Sequence, residues 1–174
     1  MSQSLTEFAA LLGAAQYSAL HLEMRDHYAM GNEQEAFAAW RDGERLDPED
    51  RASWWRPWLD VVAEATGRGV AMRRARIVSA PPSEYSRYLY DMTFTNVSAG
   101  EEIRWLNRRH ASDLALPGND FWLFDDRIVQ FNVFDAQGAW VHTDESDDPV
   151  TAGLCATAFK AVWERAIPHG QYPI

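Results

Sequence analysis

With 174 residues, 47% of them hydrophobic, the chain has material for one domain with a sizeable core. Its 26 acidic and 16 basic residues leave a net charge of −10, which opposes the phosphate neutralisation behind most nucleic-acid affinity, so direct nucleic-acid binding is not expected. A single cysteine, Cys155, excludes an intrachain disulfide and every multi-cysteine metal site, and no run approaches the roughly 18 apolar residues of a membrane span.

The N-terminal run MSQSLTEFAALLGAA has no basic leader and contains Glu7, unlike a signal peptide, and predicts a cytoplasmic protein. Ser4 and Glu7 have the spacing of a capping box, and Leu5, Phe8, Leu11 and Leu12 form one apolar stripe, predicting a helix over 4–15. In 17–24, Ala19, His21 and Glu23 alternate with Leu20, Leu22 and Met24, a strand pattern. Asn32 is placed to cap a second helix that buries Phe37 and Trp40. The charged stretch 43–50 is the candidate boundary between helical and mixed parts. A third helix is predicted over 53–66, with Pro57 near its start and Gly67 and Gly69 ending it. The chain thus divides into an N-terminal helical region, 1–69, and an α/β region, 70–174, within one unit.

The α/β region has a plainer rhythm. Strands are predicted at 70–79, 101–106, 120–124, 127–134 and 139–143, and helices at 83–95 and 150–166. Pro81-Pro82 stops the first of these strands, and Asp135-Ala136-Gln137-Gly138 is a hairpin turn signal. The eight Trp, eight Phe and six Tyr fit core packing, since each such ring buries roughly 150–250 Å².

The segments RIVSAPPSEYSRYLYD, GEEIRWLNR, DFWLFDDRIVQFNVFDAQGAW and AVWERAIPHGQYP, with SALHLEM and EAFAAWRDGE before them, resemble an uncharacterised actinobacterial family commonly encoded beside helix-turn-helix regulators. The DFWLFDD block is the most specific part. That family is in turn similar to one half of a phospholipase D-type domain without its chemistry. The resemblance implies an α/β (α+β) fold: an N-terminal helical region packed on a small mixed sheet of phospholipase D-like type, closed by a C-terminal helix. The active superfamily carries H-x-K-x(4)-D. With Asp125 as the Asp, the His and Lys places hold Gly118 and Asp120; with Asp126, they hold Asn119 and Phe121. A phosphodiester enzyme needs a nucleophile and a cation for the phosphoryl oxygens, and neither register supplies them.

Other residues present weaker cases. His21, Glu23 and His27 are the only local group of metal-ligand types, but their spacing fits no zinc motif, and an edge strand with ordinary polar residues is the simpler reading. Asp144, Glu145, Asp147 and Asp148 lack the Gly and the twelfth-position Glu of a calcium loop and read as a solvated loop. Asp125 and Asp126 read as turn residues between two strands. Arg73, Arg74, Arg76, Arg104, Arg108 and Arg109, with His110 nearby, are the basic concentration where an anion or an acidic partner surface could dock; Arg74, Arg76, Arg104 and Arg108 are the candidates, with internal ion pairs as the alternative. Trp54, Trp55 and Trp58 on the predicted third helix form a candidate partner-binding stripe or a buried contact with the sheet.

The expectation is therefore a non-enzymatic accessory or regulatory protein without a cofactor, binding a protein partner, with a helix-turn-helix regulator implied by the resemblance. The alternatives are a hydrolase or nucleotide-processing enzyme using Asp120, Asp125 and His142, which requires those groups to converge, and a small-ligand sensor.

Overall fold

Proline, glycine and capping residues set the element boundaries in the computed structural model, which describes residues 5–29, 31 and 33–174. The caps expected at Ser4 and Asn32 lie outside the described residues. The chain runs through α1 (Leu5–Ala14), β1 (Ser18–Glu23), α2 (Gln34–Arg41), α3 (Arg51–Trp54), α4 (Pro57–Gly67), β2 (Ala71–Val78), α5 (Glu84–Ser98) and β3 (Glu102–Asn107). It continues with β4 (Asp120–Phe124), β5 (Ile128–Phe134), β6 (Trp140–Ser146), α6 (Pro149–Arg165) and β7 (Ile167–Pro168). The expected third helix is two: a residue before proline is pushed out of the helical region, and Trp55 and Arg56 are extended ahead of Pro57. Ser83 caps α5 by accepting from the Ser86 amide at 2.9 Å, and Asp148 caps α6 from the Thr151 amide at 2.9 Å.

Seven strands form one mixed sheet in the order β6-β5-β4-β1-β2-β3-β7. β1, β2 and β3 are parallel neighbours, and β4 runs antiparallel to β1. β1 is thus an interior strand, flanked by β2 and β4, and the division at residue 69 does not describe the structure: the first third of the chain supplies the strand that joins the parallel and antiparallel parts. Nor is His21 on an edge. The β4–β5 connection has Asp125 and Asp126 at φ 51° and 54°, with Arg127 N–H donating to the Phe124 carbonyl at 2.9 Å, the turn expected of these residues.

Side chains alternate across each strand, so the sheet has two distinct faces. On one, Leu22, Ala75, Ile77, Leu106, Phe121, Leu123 and Val129 pack with Cys155, Phe159 and Val162 of α6. On the other, Ala19, Met72, Trp122 and Phe124 pack under α1 and α4, while Ile103 and Trp105 meet Leu89 and Tyr90 of α5. No described helix is long and apolar enough to cross a membrane.

Candidate functional site

The register of β1 with β2 sets His21 beside Arg74 and Glu23 beside Arg76, and all four are buried on the face covered by α5. Glu23 accepts from Arg74 Nη1 at 2.6 Å through one oxygen and from Arg76 Nε at 2.5 Å through the other. Arg74 Nε donates to Glu101 at 2.7 Å, and the same carboxylate accepts from Asn96 Nδ2 at 2.7 Å. Arg76 Nη1 reaches Thr93 Oγ1 at 3.1 Å. Buried charges persist only when paired and hydrogen-bonded, and here each charge has both. Burial opposes ionisation of Glu23, but Arg76 and Arg74 outweigh it and hold the carboxyl far below its ordinary range. Burial likewise opposes the charge on Arg74, and Glu101 and Glu23 outweigh it, holding the guanidinium above its ordinary value.

His21 stacks on Trp122 with ring centroids 4.1 Å apart. Its Nδ1 lies 3.6 Å from Glu23, beyond a hydrogen bond, and has no hydrogen-bond partner among the described residues. Burial, with Arg74 adding to it, holds the imidazole well below its ordinary value and therefore neutral.

Asp120 opens β4 one step past the Leu22–Phe121 pair, next to Glu23. It accepts from the Met24 amide at 2.9 Å and from the Tyr28 hydroxyl. Burial raises its pKa to about 7, with the Glu23 charge adding to the shift and the Tyr28 bond opposing it. The Tyr28 phenol is itself raised, by burial and then by Asp120. Tyr28 meets Phe134 edge to face at 5.1 Å, and Phe37 of α2 meets Tyr85 at 5.4 Å, so aromatic rings cover this end of the network. Beside it, at the carboxyl ends of β1, β2 and β3, Asp26 accepts from Ser79 Oγ at 2.6 Å and from Arg108 Nη2 at 3.2 Å. Ser79 also lines a cavity of about 240 Å³ with Trp105, Asn107, His110, Arg165 and Tyr172. The carboxyl ends of parallel strands are where open α/β sheets bind ligands.

The sequence candidates do not assemble. Arg74 and Arg76 are internal ion-pair members, not a docking surface, because in-register Glu23 and nearby Glu101 neutralise them. Arg104 lies on the opposite face, donating to the Trp163 carbonyl at 3.1 Å with its guanidinium 4.4 Å from that ring. Arg108 is held by Asp26 and by the Met24 and Ile77 carbonyls, and Arg73 pairs with Glu102. The helix break at Pro57 also dissolves the tryptophan stripe. Trp54 is buried against Phe94 and donates to the Asp47 carbonyl; Trp55 lies under the Arg51 guanidinium; Trp58 packs on Phe8 and Trp122.

Asp120, Asp125 and His142 are equally dispersed. Asp120 and Asp125 lie at opposite ends of β4, and His142 is exposed on β6, 3.3 Å from Asp144. Asp125 accepts from the Gln16, Tyr17 and Ser18 amides at 2.8, 2.7 and 2.9 Å, tying its turn to the start of β1. Glu23 has both oxygens taken by arginines, and His27 points its ring at Tyr85, 5.1 Å away, so the His21–Glu23–His27 group does not converge either. Among the described residues, no three His, Cys, Asp or Glu side chains are grouped to hold a metal ion.

The model of one family, a domain of unknown function (DUF6879), matches residues 6–173. The chain belongs to that family. No curated protein matches its sequence. Among solved structures it is similar to Nuc from Salmonella typhimurium, a phospholipase D family member, at 9% identity and a TM-score of 0.52, over 94% of this chain and 88% of that one. It is similar to NucT from Helicobacter pylori at 12% identity and 0.56, over 94% and 89%. It is also similar to TrmBL2, an archaeal chromatin protein whose structure shows a novel mode of DNA binding, at 14% identity and 0.50, over 92% of this chain and 48% of that one. The chain therefore spans about half the length of TrmBL2. At these identities the likenesses establish the fold, which is phospholipase D-like.

In this DUF6879 chain neither H-x-K-x(4)-D register holds a histidine or a lysine: the one ending on Asp125 has Gly118 and Asp120 at those places, and the one ending on Asp126 has Asn119 and Phe121. Sequence reading missed Tyr28, Asp26, Ser79 and Glu101 as members of the polar cluster. One signal for the network was present: His21-x-Glu23 and Arg74-x-Arg76 place polar side chains at the two-residue strand period, with Glu23 opposite in charge to the arginines, which suits two neighbouring strands sharing a polar buried face.

Proposed function

We propose that this DUF6879 chain is a non-enzymatic recognition protein that binds a protein partner, a helix-turn-helix transcriptional regulator, and competes with DNA for the regulator's basic surface. The observation that carries the reading is Asp120: buried, bonded to Tyr28 and Met24, and next to Glu23, whose arginine partners are already neutralised by Glu23 and Glu101. Phosphoryl transfer needs an uncommitted cation and an activated nucleophile at one point, and this network offers neither. The net charge of −10 suits a partner whose own surface is built for DNA.

The test combines co-purification of the tagged full chain with helix-turn-helix regulators and anisotropy titration of labelled operator DNA. The expected result is a regulator that co-purifies and whose apparent DNA affinity falls as the chain is added. A chain that captures no regulator and leaves DNA affinity unchanged, or that hydrolyses bis(4-nitrophenyl) phosphate with a rate abolished by Asp120→Asn, overturns the reading. A chain that itself binds the DNA, as TrmBL2 does, overturns the competition.

The cavity of about 240 Å³ favours a second reading, a small-ligand sensor with an aromatic wall of Trp105 and Tyr172. Thermal-shift screening checks it, because a ligand at a hundred times its dissociation constant stabilises by about 2.7 kcal/mol.

A further inference from the structure

The two ends of the sheet are finished differently. β7 closes one end with two residues, Ile167 and Pro168, and a short strand with proline is an ordinary guard against further pairing. β6 forms the other end with seven residues, Trp140–Ser146, without proline, lysine or arginine. β5 occupies one side of it. On its outer side, among the described residues, no strand or other backbone hydrogen-bonds to it.

Charge and apolar surface select what this edge can accept. From Ile128 to Phe159 the chain contains no Lys or Arg and five acidic residues, Asp135, Asp144, Glu145, Asp147 and Asp148. Val141 on the strand is 50% exposed. Directly after β6, Val150 and Leu154 lie one helical turn apart on α6 and are 80% and 48% exposed. A second copy of this chain would bring acid to acid. A strand bearing Lys or Arg between apolar residues would satisfy the open backbone groups, meet the carboxylates with opposite charge and cover the exposed valine and leucine side chains together.

We propose that the outer edge of β6 is the docking strand for an extended, basic segment of a protein partner, which adds to the sheet as an eighth strand. This rests on the partner-binding reading above and names the surface and the chemistry that reading leaves open. DNA-binding proteins carry such Lys/Arg-rich segments to neutralise phosphates, so pairing one with β6 would withdraw it from DNA.

The test uses the full chain and a fluorescein-labelled ten-residue peptide alternating Arg with Val. One control has the same length with every third residue replaced by Pro; a second has Glu for Arg. The expected result is saturable binding of the Arg-Val peptide alone, weakened by salt, with new hydrogen-exchange protection confined to β6 amides. The Asp144→Lys/Glu145→Lys double variant should bind about tenfold more weakly, since charges across an interface govern encounter and register. Equal binding of the proline-interrupted peptide, protection elsewhere than β6, or a wild-type dimer paired through β6 overturns the proposal. The two readings fail separately. A regulator that still binds the double variant with unchanged affinity sinks the β6 surface and leaves partner binding intact. Peptide pairing at β6 without any regulator captured sinks the regulator and leaves the edge.

Discussion

On the α6 face of the sheet, Leu22, Ile77, Phe121, Leu123 and Val129 meet Phe159 and Val162, and Arg104 lies only partly buried at Trp163, whereas on the opposite face the same strands bury His21, Glu23, Arg74, Arg76 and Asp120. Apolar packing is insensitive to pH and tolerant of exchange between side chains of similar volume. An ion network demands one geometry, and its removal of charge from water consumes most of what its internal attraction returns. The first face therefore supplies stability, and the second fixes the arrangement: Glu23 locks β1 to β2 through two guanidiniums, Glu101 ties β2 to the segment after α5, and Asp120 pins residues 24–28 to β4.

The sharpest break in this comparison comes from Glu23→Gln, which leaves Arg74 and Arg76 buried with one counter-charge between them. Such uncompensated burial should destabilise the chain by about 3–5 kcal/mol, read by urea denaturation at neutral pH. A loss below about 1 kcal/mol, the size of a surface pair, would show that water screens the network. On the other face, Leu123→Ala should cost about 2–5 kcal/mol through lost burial and a residual cavity, and that cost should not change between pH 5 and 8.

Asp120 separates the faces by pH. Its folded-state value of about 7 stands above its ordinary 3.8, so the folded chain keeps a proton that the unfolded chain releases. The penalty is absent below about pH 4 and grows as pH rises towards 7, by at most about 1.4 kcal/mol per pH unit. His21 acts in the opposite sense, because its depressed value costs stability as pH falls below the ordinary 6.5. The stability of Asp120→Asn minus that of the parent isolates the carboxyl, and that difference should rise from pH 4 to 7. A flat difference would mean that Asp120 is ionised throughout.

Much of this fold was legible because its local signals agree. Alternation in 17–24 and 127–134, the paired prolines at 81 and 82, Asp125-Asp126 and Asp135–Gly138 each mark a boundary that short-range physics enforces. The central place of β1 was not legible, since alternation says that a strand has a buried face and not which strands flank it. The charged stretch 43–50 looks like a boundary, yet the strand before it inserts between β2 and β4. The site suffered from the same gap. Arg74, Arg76 and Arg108 form a basic group along the chain, and only the register of β1 on β2 and the path of residues 24–28 bring Glu23 and Asp26 to neutralise them.

Asp125 gives the smallest expected effect and tests the turn that joins the two antiparallel strands. Its left-handed backbone suits Asp or Asn, and its carboxylate receives three amides from the start of β1, so conformation and capping are both at stake. Asp125→Ala removes both and should cost about 1–2 kcal/mol, the upper range for a lost cap, with solvent screening keeping it from more. Asp125→Asn keeps the backbone preference and one acceptor oxygen and should cost less than half as much. Burial opposes the charge, but the Gln16, Ser18 and Tyr17 amides together outweigh it and hold this carboxyl below its ordinary value. Its contribution is therefore present above about pH 4 and lost on acidification, and the gap between parent and Asp125→Asn should narrow as pH falls towards 3. No gap between parent and Asp125→Asn at neutral pH would assign the whole Asp125→Ala effect to backbone conformation and none to the charge of the carboxylate that staples the β4–β5 turn to β1.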